Sequence, residues 1–190
     1  ALKGDSCAAY CMWRLLIERN ETIVPNSYKY KEYSDPIYFL KKAADLGHEF
    51  SIYNLGAIYY EQGEFSLAYN YWKKIVEKRE MNKDFYLAFA HVCHKAGDYS
   101  LALKYFKKVA NAGGYKQNEA EYYLALYYYG IKKYSGKEKA KSRPWYVKCK
   151  YPDVKNNKSE GLRLFKKLIA KGYLKFNPAD DIMTADQARM

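Results

Sequence analysis

The sequence predicts an all-α protein, a right-handed α-solenoid of about four stacked helix pairs. The first observation is an internal repeat: residues 51–80 and 85–114 align without a gap, and Gly63 and Gly97 mark the same turn 34 residues apart. A period of this size, with a helix on each side of a glycine turn, is typical of helical-repeat proteins. The second is a Lys-Lys pair that recurs at positions 41–42, 73–74, 107–108 and 166–167.

These patterns place the helices in order along the chain. First helices are predicted at 7–19, 51–62, 85–96 and 120–130, and the signature that surrounds the lysine pairs marks the second helix of each unit. Residues 20–35 and 131–158 interrupt the first and fourth units, and insertions between repeat helices usually become loops on one face. We therefore predict a repeat domain over residues 1–172, followed by a cap or tail at 173–190.

Apolar and small residues at repeated positions predict how each pair packs. Gly56 and Ala68 are small enough to let paired helices approach closely, and Trp72 is expected to fill the space between adjacent units. A single helix pair cannot bury its apolar face alone, so neighbouring pairs must stack. The aromatic residues assigned to this packing are Tyr59, Tyr71, Trp72, Tyr105, Phe106 and Phe165.

Composition narrows the partner classes. The 190 residues carry a net charge of +12 and 23 tyrosines, and no run approaches the roughly 20 apolar residues of a membrane span. A strongly basic chain suits an acidic protein surface, nucleic acid or an anionic membrane. Four cysteines leave disulfide pairing open. We expect a periplasmic location, with the cytoplasm as the alternative, and the oligomeric state stays open.

The repeat resembles the Sel1-like repeat family, a relative of the tetratricopeptide repeat. The resemblance rests on Ser51-x-x-x-Leu55-Gly56-x-x-Tyr59, Gly63, Ala68-x-x-Tyr71-Trp72-x-Lys74 and the step Leu46-Gly47-His48. It covers roughly residues 35–172 and departs from the family in its large insertions and its short turn at 62–64. The resemblance implies an adaptor, regulator or inhibitor that binds other proteins, without naming the partner.

If tetratricopeptide geometry holds, other first-helix positions face a concave side and form a protein-binding groove. Tyrosine suits such a groove because it supplies apolar area and a polar tip. The alternative is an aromatic surface that the insertions cover. The predicted groove residues are Tyr53, Ala57, Tyr60, Leu87, His91, His94, Lys95, Tyr122, Leu126 and Tyr129.

The insertion at residues 131–158 is predicted to contribute to the same site. It contains ten basic and two acidic residues, which is most of the net charge, with aromatic residues between them. Such segments bind acidic proteins, phosphorylated ligands, single-stranded nucleic acid or membranes, or form a solvated loop packed by its own aromatics. The residues expected to contact the partner are Arg143, Trp145, Tyr146, Lys148 and Lys150.

Catalysis finds no support in the sequence, and we expect no enzyme activity and no cofactor. There is no glycine-rich phosphate loop, nucleophile elbow or His-Glu-x-x-His motif. His91 and His94 share a helix face near Cys93, but a closed zinc site needs four ligands and no second pair matches. We therefore predict no metal, and we assign Cys93 to the core because it occupies the Tyr59 position.

The sequence thus predicts a non-enzymatic protein-binding module. By family analogy, the favoured role is a bacterial immunity protein that binds and neutralises a secreted toxin, with an acidic toxin surface meeting the basic residues. The alternative in the same class is an adaptor in secretion or envelope assembly. The alternative from another class is binding of nucleic acid or an anionic membrane through the basic insertion.

Overall fold

The computed structural model describes residues 5–18, 36–133, 146–152 and 154–182. This part of the chain is mostly α-helical, in agreement with the predicted all-α class. It divides into two compact units, Ala1–Met81 and Asn82–Met190. The predicted domain of residues 1–172 spans both units, which are described separately below. No helix among the described residues is long and apolar enough to cross a membrane.

The first compact unit contains two helix pairs. Its helices are α1 (Ser6–Glu18), α2 (Pro36–Asp45), α3 (Glu49–Glu61) and α4 (Phe65–Trp72). Consecutive helices pack together, and α2 contacts both α1 and α3. The predicted insertion at residues 20–35 lies outside the described residues. Helix α4 has only eight residues, and a hydrogen-bonded turn follows it, in which Ile75 N and Val76 N both donate to Trp72 O.

The second compact unit contains two further helix pairs and a small β-ribbon. Its elements are α5 (Lys83–Ala96), α6 (Tyr99–Ala112), α7 (Gln117–Tyr129), β1 (Ile131–Lys133), β2 (Tyr146–Lys148), α8 (Lys158–Ala170) and a 3₁₀ turn at Pro178–Asp181. Helix α6 packs against both α5 and α7, and α7 packs against α8. The ribbon corrects the expectation that the whole insertion at 131–158 is a loop. The 3₁₀ turn is the described part of the predicted cap.

The two repeat copies fold into the same turn, which explains the 34-residue period. Gly63 and Gly97 both have a left-handed backbone, with φ of 78° and 87°. In each turn the following residue donates its N–H back to the first helix: Glu64 N to Tyr59 O at 2.8 Å and Asp98 N to Cys93 O at 2.9 Å. This αL C-cap satisfies carbonyls that a helix end leaves open. The match also confirms that Cys93 occupies the Tyr59 position, where it is fully buried.

Glycine at position 56 is required by close packing within the first copy. A Cβ added there would lie 2.1 Å from Trp72 Nε1. The indole N–H instead donates to the Tyr53 carbonyl at 2.9 Å. Trp72 thus packs against the first helix of its own pair.

Four of the six predicted core aromatics are buried, and Tyr59 and Tyr71 are the two exceptions. Trp72, Tyr105, Phe106 and Phe165 are at most 3% exposed. Tyr59 and Tyr71 are only half-buried and stack on each other, with ring centroids 5.6 Å apart. All four cysteines are free thiols, and among them Cys7 and Cys11 are exposed on α1.

Candidate functional site

The β-ribbon formed by β1 and β2 begins directly after the end of α7. The repeat pattern does not require this ribbon. Gly130 ends the helix with φ of 78°. Its carbonyl accepts the Cys149 N–H at 2.8 Å, which brings the far end of the insertion back to the helix. The two strands then pair antiparallel, with Ile131 opposite Lys148 and Lys133 opposite Tyr146. Positive φ favours glycine at this turn.

Buried tyrosines anchor the ribbon to the helices of the second compact unit. Tyr146 is 2% exposed, and its hydroxyl lies 3.0 Å from the Tyr122 hydroxyl on α7. Tyr151 is 3% exposed, and its hydroxyl donates to the Ile131 carbonyl at 2.8 Å. A buried polar group without a partner is costly, so these bonds allow phenol groups to serve as anchors. The ends of the insertion are therefore part of the packed fold.

An aromatic cluster lies beneath Tyr151. Its ring centroid is 4.4 Å from that of Tyr127 and 5.0 Å from that of Tyr99. The Tyr127 hydroxyl in turn lies 2.6 Å from His94 Nδ1. Tyr127 follows the repeat register, because it occupies the position of Val92 in α5 and, like Val92, is fully buried. That register was the signal that could have identified Tyr127 as a core residue from the sequence.

Burial keeps the groups in this cluster uncharged. It raises the pKa of Tyr127 and Tyr151 well above the usual value for tyrosine. It also lowers the pKa of His94 to about 4, with smaller contributions from the nearby Lys95, His91 and Lys132. Burial likewise lowers the pKa of His91, although Glu119 lies 3.0 Å from its Nε2 and opposes the shift. Both histidines are thus neutral near pH 7.

Exposed lysines lie in the ribbon and just after it. Lys132, Lys133, Lys148 and Lys150 are all exposed, and none of them forms an ion pair with another described residue. Lys167 on α8 behaves differently, because its Nζ lies 2.6 Å from the buried carboxylate of Glu121. The ribbon therefore carries positive charge that the described part of the chain does not neutralise.

The residues predicted to contact the partner, from both the groove and the insertion, lie in several environments. Leu87, Leu126 and Tyr146 are buried at 4%, 4% and 2% exposure, so they are core residues and not a binding surface. Tyr129 is turned toward α8, with its ring 6.1 Å from Phe165. For Tyr146 the burial follows from its contact with Tyr122 on α7, and Leu87 and Leu126 are buried in helices of the second compact unit.

The remaining predicted residues are also placed. His91 and His94 on α5 and Tyr122 on α7 are half-buried, whereas Lys95, Lys148 and Lys150 are exposed. Tyr122 contacts Tyr146 of the insertion, and the ring centroid of His94 lies 6.3 Å from that of Tyr151. Tyr53 and Tyr60 belong to the first compact unit, where their rings lie 6.5 and 5.6 Å from that of Trp72. Ala57 is half-buried on the same helix. Arg143 and Trp145 lie outside the described residues. The set of predicted contact residues did not include Lys132, Lys133 or Tyr151.

The first compact unit contains a concave feature. It is an open cleft of about 300 Å³ between α1 and α3, lined by Tyr10, Trp13, Arg14, Ile17, Glu18 and Asn54. Arg14 Nη2 and Glu18 Oε1 are 2.6 Å apart, so the charges lining this cleft neutralise each other. The ring centroid of His48 lies 4.5 Å from that of Tyr10, a residue lining the cleft, and its Nδ1 is 2.9 Å from Ser51 Oγ.

The contacts of His91 and His94 on α5 matter for metal binding. His91 is engaged by Glu119 and His94 by Tyr127. Within the described ranges, no three His, Cys, Asp or Glu side chains come together in a way that could hold a metal ion. The ribbon presents exposed lysine ammonium groups on a backbone that buried tyrosines hold in place.

Comparison with known proteins leaves the family unassigned. The chain matches no protein-family model, no curated protein and no solved structure. The resemblance to Sel1-like repeats thus stays a prediction from the residues of the repeat.

Proposed function

We propose that this chain is a non-enzymatic protein-binding module and that its ribbon binds an acidic surface of a partner protein. The observation that carries the proposal is a set of four exposed lysines, three in the ribbon and Lys150 just beyond β2, that have no ion pair with any described residue. Complementary charge steers association and suppresses partners of like charge. A site of this kind needs no catalytic group.

Anchoring of the ribbon supports binding. Tyr146, Tyr151 and Ile131 are buried and two of them are hydrogen-bonded, so the backbone that carries the lysines is held before a partner arrives. Holding a surface in its binding geometry reduces the conformational entropy lost on association. The lysine side chains themselves still have to be ordered.

The same burial favours a protein partner over single-stranded nucleic acid. Proteins that bind single strands stack successive bases on exposed aromatic rings. Tyr146 and Tyr151 are the described aromatics of the insertion, and both are at most 3% exposed. Their rings are engaged with the helices and are not presented as a stacking platform.

Within this class we propose a bacterial inhibitor that neutralises a secreted toxin, the role implied by the resemblance to Sel1-like proteins. An adaptor in secretion or envelope assembly is the alternative. The neighbouring genes separate them, because a toxin gene supports inhibition and an envelope operon supports an adaptor. Co-expression with the neighbouring candidate should restore growth if the chain is an inhibitor.

The binding test uses the purified candidate partner and isothermal titration calorimetry at physiological salt. The double variant K148E/K150E should weaken binding about tenfold or more, chiefly through slower association. The matched control K78E/K166E makes the same change of net charge at exposed lysines outside residues 131–158 and should bind like the parent protein. Equal losses in both variants, or stronger binding to random DNA duplexes and anionic vesicles than to the partner, would reject the proposal.

A further inference from the structure

The strand register decides which ribbon lysines can act together. Opposed residues of an antiparallel pair project to the same face, and successive residues alternate between faces. Ile131 faces Lys148 and Lys133 faces Tyr146, so these four share one face. Lys132, which is opposite Val147, projects to the other face.

Within the shared face, the buried and exposed residues lie on opposite diagonals. Ile131 and Tyr146 are at most 2% exposed and hold the ribbon to the unit. Lys133 and Lys148 occupy the other two corners and are exposed. Diagonal neighbours have Cβ atoms about 7–8 Å apart or slightly less, which is within reach of long side chains. Two ammonium groups therefore flank one anchored patch of backbone.

We propose that Lys133 and Lys148 bind a pair of carboxylates that the partner presents one helical turn apart. This inference rests on the proposed function and specifies the chemistry of the partner. Side chains four residues apart on a helix lie on one face with Cβ atoms about 5–6 Å apart. Two glutamates or aspartates at that spacing can each meet one ammonium, because lysine side chains are long and rotatable.

Two lysines suit the binding of two separate carboxylates better than one arginine does. An arginine fork binds a single carboxylate or phosphate through two parallel hydrogen bonds. The described residues of the ribbon offer only lysines, each a compact charge on a flexible stem. The strand register fixes the separation of the two lysine Cβ atoms, so acids on opposite sides of a helix cannot meet both ammonium groups.

The test uses the full chain, labelled with ¹⁵N, and an alanine-based helical peptide whose glutamates recur every four residues. The expected result is a chemical-shift change concentrated at Lys133, Lys148 and their strand neighbours. A peptide of the same composition with glutamates spread around the helix should bind several-fold more weakly. The double variant K133Q/K148Q should lose about tenfold in affinity for the first peptide, whereas K78Q/K166Q should lose less than twofold.

Lys132→Gln is the internal comparison, because it removes one charge from the other ribbon face and should weaken binding less than twofold. Equal effects of all lysine variants, or equal binding of both peptides, would overturn the carboxylate-pair inference. The calorimetric test with the protein partner stays separate. A partner that depends on Lys148 and Lys150 but not on acid spacing would refute this inference and leave the proposed function standing.

Discussion

At the scale of single residues, the two repeat copies differ in side-chain size at two packed positions, and the differences compensate each other. The first copy has Gly56 against Trp72, and the second has Ala90 and Phe106 at the same two positions. Ala90 and Phe106 are both fully buried. A smaller ring in the second helix thus goes with a larger residue in the first, as expected when interiors are close-packed.

This compensation predicts the effect of Gly56→Ala. The new Cβ would lie 2.1 Å from Trp72 Nε1, so the indole must shift and its hydrogen bond to Tyr53 O is strained. Overpacking of this kind costs about 1–3 kcal/mol of unfolding free energy, measured by urea denaturation. Adding Trp72→Phe should make the alanine less costly than it is alone. A double variant whose penalty equals the sum of the two single penalties would contradict this explanation.

A second prediction concerns Glu121, a buried acid at 4% exposure. It accepts hydrogen bonds from Lys167 Nζ at 2.6 Å and Gln117 Nε2 at 2.8 Å. Glu121→Gln keeps the shape but removes the charge that compensates Lys167, so we expect a loss of about 2–3 kcal/mol in unfolding free energy. Glu160→Gln breaks an exposed pair with Arg163 and should cost less than about 1 kcal/mol. Similar losses in the two variants would argue against a role for burial.

At the scale of elements, the ribbon depends on the anchor that holds it to α7. Tyr151→Phe removes the hydroxyl that donates to Ile131 O at 2.8 Å. We expect a loss of about 1–2 kcal/mol and faster amide exchange in β1 and β2. Tyr115→Phe is the control, because Tyr115 is 76% exposed, and it should change stability by less than about 0.5 kcal/mol. Unchanged exchange in the ribbon would show that Tyr151 is not its anchor.

At the scale of the whole molecule, charge links stability to pH. The pKa of His94 is about 4 in the folded protein because the ring is buried, against 6.5 when exposed. The unfolded chain therefore takes up the proton first, so this contribution to stability is complete above pH 6.5 and declines as the pH falls toward 4. Allowing for partial solvent screening of the ring, the decline is on the order of 1–2 kcal/mol.

The measurement is urea denaturation at several pH values for the parent protein and for His94→Gln. The difference between their pH profiles isolates His94 from His91, whose pKa burial also lowers. The variant should lose less stability than the parent between pH 6.5 and 4. Parallel profiles would show that His94 does not contribute to acid sensitivity.

The helices and their turns follow from local sequence, and so could be predicted. Glycine at positions 63 and 97 is needed for a left-handed turn, and the repeated small and apolar positions mark the faces that pair. The assignment of Cys93 to the core came from register alone. Such features depend on residues close together in the chain, where backbone preference and helical periodicity are decisive.

Only the tertiary structure decided which aromatic residues remain accessible. Tyr146 and Tyr151 were read as part of a basic and aromatic loop, yet contacts with α7 and with Ile131 bury them. Those contacts join residues 20 or more positions apart, across an insertion whose length has no periodic pattern. Helix faces can be derived from spacing, but whether a face is covered depends on which distant segment reaches it, and that is set by packing. The sequence therefore determined the helix pairs and the excess of positive charge, and the tertiary structure placed part of that charge on an anchored ribbon.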